Sequence, residues 1–154
     1  SKLNAVKMVT SAGENVVLAN GHEQDVITRI LKGESVGTLF LAEGKTLSPW
    51  KRWLRFSAQS QGIVVLDAGA CAAIESEGKS LLAIGIVGFS GKFSKGEVLS
   101  IRNDQGLELA RGLTNYDSIE IAKIQGQHST AFQKILGYCP YDEVIHRDNL
   151  AVGK

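Results

Sequence analysis

The stretch from Gly78 to Tyr116 constrains the fold most. It reads Gly-Lys-Ser-Leu-Leu-Ala-Ile-Gly-Ile, then Gly-Lys-Phe-Ser-Lys-Gly-Glu-Val, then Leu-Ala-Arg-Gly-Leu-Thr-Asn-Tyr. Apolar runs of strand length are parted by single glycines. Such spacing predicts a small, tightly turned β domain, because glycine supplies the positive-φ corners and close backbone approaches that short strands need. Glycine accounts for 17 of the 154 residues, above the usual ~7%. The glycines stand one at a time between apolar segments, so the excess marks turns and not low complexity.

A chain of 154 residues can hold one ordinary domain, or a small domain with part of another. With 44% apolar and 21% charged residues it can bury a core. No apolar run approaches the ~20 residues of a membrane span, and the opening Ser1–Lys7 has no signal-peptide character. The expected setting is therefore cytoplasmic, with no membrane contact. Cys71 and Cys139 are the only cysteines. Free thiols in a reducing cytosol are a simpler expectation for them than a disulfide. There is no zinc-spaced Cys/His set, no Gly-x-Ser-x-Gly elbow and no complete phosphate loop.

The first third alternates helix and strand. Leu3, Ala5, Val6, Met8 and Val9 can share one helix face before Gly13, and Val16–Ala19 suits a buried strand. Asp25–Leu31 has helical spacing closed by Gly33, and Gly37–Phe40 reads as a strand. This order implies an α/β layer. Four short elements cannot cover both faces of a sheet, so this part is expected to need a partner: partly disordered, swapped, or paired across a dimer. A helix beginning at the first residues also predicts a chain cut from something longer. From about residue 46 to 61, Trp50, Trp53 and Phe56 lie among Lys51, Arg52 and Arg55, with Lys45 just before. The segment reads as a connector whose aromatics pin one domain on another; a stacking platform for nucleic acid is the alternative.

A second unit opens at about residue 62. Ile63–Leu66 is a strand, Asp67 caps a helix Ala68–Glu77, and strands follow near Leu81–Leu82, Ile86–Phe89, Val98–Ile101 and Leu107–Leu113. Asp117 and Glu120 have capping-box spacing and open a helix Ser118–Ile124. Another helix runs from Ser129 to Leu136, stopped by Gly137, and Val144–His146 is the expected closing strand. His22 and His128 read as loop and helix-start residues, His146 as structural, Cys71 as a small buried hydrophobe and Phe93 as core.

The glycine-cornered half resembles the PUA domain, a small pseudo-barrel known from RNA-modifying enzymes. Three further segments resemble the C-terminal part of the glutamate 5-kinase family: Ser1-Lys2-Leu3, Gly33-Glu34-Ser35-Val36-Gly37-Thr38-Leu39-Phe40, and Lys51-Arg52-Trp53. The tail, with Ile135-Leu136-Gly137-Tyr138 and Val144 to Asn149, is similar to that family's terminus. The implied fold is α+β: a PUA-like β pseudo-barrel with flanking short helices at 62–154, after a linker at 46–61. An incomplete α/β remnant of an amino acid kinase domain would occupy 1–45.

The resemblance implies transfer of the ATP γ-phosphoryl, with Mg²⁺, to the side-chain carboxylate of L-glutamate in proline synthesis. Catalysis of such a step needs cations and N–H donors aimed at the phosphoryl. Ser1 and Lys2 are the residues implied to meet ATP phosphates in the intact parent, at a helix N-terminus whose dipole favours anions. Most of the site would lie elsewhere, so these residues alone are expected to be inactive and to bind no cofactor. Proline as feedback inhibitor, a homo-oligomer and docking of glutamyl phosphate reductase are also implied. By the PUA analogy, Gly69, Lys79 and Lys92 are the nucleic-acid candidates. Residues 61–154 hold nine Lys/Arg against eleven Asp/Glu, a net charge of −2. That makes a poor nonspecific RNA binder, so a structural or regulatory role is expected over a stand-alone RNA-binding module.

Overall fold

The computed structural model describes residues 2–42 and 48–153. Ser1, and Lys45 at the edge of the expected connector, lie outside the described residues. By internal contacts the chain divides into two units, Ser1–Ser48 and Pro49–Lys154.

The first unit has α1 (Lys2–Ser11), β1 (Val16–Leu18), α2 (Val26–Leu31) and β2 (Thr38–Phe40). The two strands pair antiparallel, Val16 opposite Phe40 and Leu18 opposite Thr38. Gly37 is required at the entry to β2. Its φ is +77°, and a Cβ there would lie 2.3 Å from the Leu18 carbonyl oxygen. The Asn15 carboxamide ties the exit by accepting from the Ala42 N–H at 2.8 Å.

The expected apolar faces of this unit are only narrowly buried. Val6, Ala12 and Val36 are inside, whereas Leu3, Met8, Val17, Leu31 and Leu39 are exposed. Thus β1 is not the buried strand its composition predicts. A two-stranded ribbon has too few neighbours to cover both faces.

The second unit begins with α3 (Pro49–Phe56), followed by β3 (Gly62–Leu66), α4 (Ala68–Glu75), β4 (Ile86–Ser90), β5 (Val98–Arg102) and β6 (Glu108–Leu113). Then come α5 (Ser118–Ile124), α6 (Phe132–Leu136) and β7 (Leu150–Val152). The sheet order is β4-β3-β5-β6-β7. β3 and β5 run parallel, and the other neighbours are antiparallel.

Alternation along the strands sends Val64, Leu66, Leu99 and Ile101 to one face, where they meet Ile121, Ile124 and Phe132 from the helices in a continuous core. Tyr116 and Phe132 meet edge-to-face there, with centroids 5.6 Å apart. Helix α5 starts where its sequence says: Asp117 accepts from the Ile119 and Glu120 N–H groups, and Glu120 reaches back to the Asp117 N–H at 2.9 Å.

Two expectations change. The segment expected as linker contains α3, with proline at its first helical position. Leu54 and Ala58 pack on the outer face of the sheet with Val98, Leu113 and Ala151. Trp50 and Trp53 stack on one another at 5.2 Å and are each nearly half exposed.

The closing strand is β7, paired with Ala110–Gly112, and not Val144–His146. Ile145 makes a single bridge, to Leu81, and that bridge is also all that forms of the strand expected at Leu81–Leu82. At His146 the chain turns, its Nδ1 accepting from the Asp148 N–H at 3.2 Å. The bare Cα of Gly112 admits this turn, since a Cβ would lie 2.6 Å from Ile145 Cγ2 and 2.8 Å from the Asn149 oxygen.

Candidate functional site

A cleft in the second unit lies beside α4. Asp67 follows β3 and caps the helix, its Oδ1 accepting from the Ala70 N–H at 2.7 Å. The Asp67 N–H donates to the Gly85 oxygen at 3.0 Å, which brings the turn at 83–85 against the helix. The approach works only between small residues: a Cβ on Gly85 would lie 2.4 Å from the Ala70 Cβ.

Between helix and turn is a cavity of about 370 Å³. Ala73, Ile74, Leu81, Leu82 and Ile84 form apolar walls, and Asp67 and Lys79 stand at the polar margin. Leu82 and Ile84 are each about half exposed at the rim.

The structure brings two of the sequence candidates together here. Gly69 and Lys79 both line the cleft. At Gly69 a Cβ would meet nothing closer than Asp67 Oδ1 at 3.4 Å, so packing does not demand a glycine. Lys79 Nζ lies 2.5 Å from Glu77 Oε2, which offsets its charge. Lys92 lies apart, exposed in the turn after β4 and outside the cleft. Lys2 is exposed at the first position of α1.

Sequence reasoning missed a polar array on the sheet's outer face. Ser100 is fully buried there and donates to Glu108 Oε2 at 2.6 Å. Arg111 Nε donates to Glu108 Oε1 at 2.8 Å, and its Nη1 donates to the Ala58 oxygen at 2.9 Å. Arg102 Nε donates to Ser100 Oγ at 3.1 Å. Burial raises the Glu108 carboxyl, but the bonds from Ser100 and Arg111 and the nearby guanidinium charges outweigh it and hold the group below its ordinary value. The available signal was the polar phase of β5, Ser100 and Arg102 alternating with Leu99 and Ile101.

A second array clasps the helices. Lys95 Nζ lies 2.8 Å from Glu120 Oε1 and 3.0 Å from the Tyr138 hydroxyl, over the Tyr138 ring. Burial pushes the Tyr116 phenol up to about 12, and its hydroxyl donates to the Tyr141 carbonyl. Burial first, then Glu75 and Asp67, raises the Cys71 thiol, keeping it protonated near neutrality. Among the described residues no group of three or more His, Cys, Asp or Glu could hold a metal ion, and no helix is long and apolar enough to cross a membrane.

With this geometry in place, the chain can be set beside known proteins. The PUA domain family matches residues 62–136. A glutamate 5-kinase from Variovorax paradoxus is 43% identical over 152 residues, covering 99% of this chain and 40% of the relative. One from Syntrophus aciditrophicus is 45% identical with the same coverage. The chain thus spans about two fifths of the length of the curated relatives it matches. Among solved structures, a conserved PUA domain protein from Thermoplasma acidophilum matches with 18% identity and a TM-score of 0.41, over 74% of this chain and 89% of that one.

Proposed function

We propose, for a chain that carries a PUA domain and is homologous to the C-terminal part of glutamate 5-kinases, that it serves as the regulatory and structural end of such an enzyme. The parent transfers the γ-phosphoryl of ATP, with Mg²⁺, to the side-chain carboxylate of L-glutamate, giving L-glutamyl 5-phosphate for proline synthesis in the cytoplasm. The single observation that carries this reading is identity of 40–45% along 99% of the chain with relatives bearing that name.

The chemistry assigns little to these residues directly. Lys2 stands at the start of a ten-residue helix, where its ammonium and the helix dipole would both favour a phosphate. Ser1 would add a hydroxyl contact in the intact parent. The exposed Leu3, Met8, Val17 and Leu39 of the first unit are the surface that the remainder of the kinase domain would cover. The second unit would tune proline inhibition or homo-oligomer assembly, and docking of glutamyl phosphate reductase would protect the labile acyl phosphate.

Binding of RNA by the second unit is the weaker reading. Residues 61–154 carry a net charge of −2, the cleft beside α4 is walled by apolar side chains, and its lysine is paired with Glu77.

The test is a hydroxamate assay for acyl phosphate with ATP, Mg²⁺ and L-glutamate. The full-length parent is expected to be active, and the same enzyme lacking residues 61–154 should show altered proline inhibition or oligomeric state. The 154-residue chain alone is expected to give no product. Turnover by this chain alone, or unchanged regulation and assembly after the deletion, contradicts the assignment.

A further inference from the structure

The outer face of the five-stranded sheet is unevenly covered. Helix α3 seals the part over β6 and β7 through Leu54, Ala58, Val98 and Ala151. Toward β3 and β4 the register places Ile63 opposite Ser90 and Ser100, and Val65 opposite Arg102. A cavity of about 220 Å³ opens there, lined by Ser60, Gln61, Ile63, Ser90, Gly91 and Arg102.

Its walls are fixed by the backbone. Gly91 has φ +98°, and a Cβ on it would lie 2.8 Å from the Gln61 oxygen. The turn after β4 therefore lies directly against the entry to β3.

The charge in this cavity is not neutralised. Glu108 faces two guanidiniums, Arg102 and Arg111, but its oxygens are taken by Ser100 and Arg111. Arg111 and Glu108 are ion-paired at 2.8 Å, and among the described residues Arg102 is the one charged side chain lining the cavity. Arg102 is held by its Nε on Ser100. Among the described residues its Nη atoms have no hydrogen-bond or ion-pair partner, and neither do the Ser60 and Ser90 hydroxyls. A guanidinium anchored through Nε keeps the donors of its Nη edge in a set direction, suited to a planar oxyanion.

We propose that Arg102, Ser60 and Ser90 form a binding site for a small aliphatic carboxylate. The Arg102 Nη edge takes the carboxylate, the hydroxyls donate to its remaining lone pairs, and Ile63 supports the carbon chain. A single unneutralised positive charge matches a monoanion; a phosphate dianion would keep one charge unbalanced. No acidic side chain lines the cavity, so a zwitterionic amino acid would leave its ammonium unpaired. The volume admits an acid of several carbons, a water occupying about 30 Å³ of liquid.

The experiment is a ¹⁵N-amide NMR titration of the 154-residue chain with sodium butyrate, beside separate titrations with inorganic phosphate and glycine at constant ionic strength. Saturable shifts at Gln61, Gly62, Ser90, Gly91 and Arg102 are expected with butyrate, at a dissociation constant of ~1–10 mM. Phosphate and glycine should bind at least several-fold more weakly. Arg102→Met should abolish saturation. Ser90→Leu, which fills the cavity mouth and leaves the Arg102–Ser100–Glu108 bonds in place, should abolish it too. Absence of saturable shifts with butyrate, phosphate or glycine saturating at or below the butyrate concentration, or unchanged binding in Ser90→Leu would each overturn the proposal.

Discussion

The same kind of residue has opposite fates in the two units. In the second, Val64 and Leu66 of β3 are at most 1% exposed, beneath helices α5 and α6. In the first, Val17 and Leu39 face one another across β1 and β2, yet are 37% and 57% exposed. Both pairs are aliphatic and both lie in strands. What differs is the number of layers: five strands with helices packed on both faces enclose a strand's side chains, and two strands cannot. Apolar composition measures the surface available for burial, and packing partners determine how much of it leaves water.

The contrast is sharpest in core truncations. Phe132→Ala removes a fully buried ring that packs on Tyr116 and should lower the stability of the second unit by ~3–5 kcal/mol in chemical denaturation. Leu39→Ala should change stability by no more than ~0.5 kcal/mol, since the side chain is already solvated. Equal losses for the two variants would break the comparison.

Alkali should act next most strongly, and on the second unit, which holds all three tyrosines. Tyr116 is raised to about 12, against ~10 for a free tyrosine. Its contribution is complete below pH ~10 and is lost as pH rises toward 12, a loss on the order of 3 kcal/mol at most. The unfolded chain releases this proton first, so stability falls with rising pH. In a tyrosinate absorbance titration a late phase should appear toward pH 12, and Tyr116→Phe should remove it. Absence of that late phase would show that the phenol is not held inside.

A smaller effect tests the local rules. Asp117→Ala should cost ~1 kcal/mol by removing the side-chain half of the capping box. Hydrogen exchange should then quicken first in Ile119 and Glu120, whose N–H groups lose their acceptor. Unaltered exchange at both would sink this account of the helix start.

What could be read in advance follows the range of the interaction. Asp117 with Glu120, Asp67 before α4 and Gly137 after α6 are punctuation within one helical turn, and the sequence spacing is the contact. The helix within the connector is not legible in the sequence because its anchor, Leu54, rests on Val98 and Ala151, distant in the chain. The final strand was displaced because Ile145, though apolar, is followed by a turn that His146 closes through its own ring. Gly69 and Lys79 share a cleft because one helix and the turn after it bring them there, whereas Lys92 is carried off by β4. The Arg102, Ser100, Glu108 and Arg111 array went unread because it depends on the cross-strand register of β5 and β6, including the irregularity between Ile101 and Arg102.

The sequence by itself determined the caps that open α4 and α5, the glycine that ends α6, the glycine corners and the alternation of the strands in the second unit. These are interactions between near neighbours, so residue order alone specifies them. Only the tertiary structure decided which apolar faces are covered, that α3 belongs to the second unit, and that a guanidinium on β5 keeps an unpaired edge beside the serines of neighbouring segments. Burial and electrostatic pairing depend on atoms far apart in the chain, and folding alone brings those atoms together.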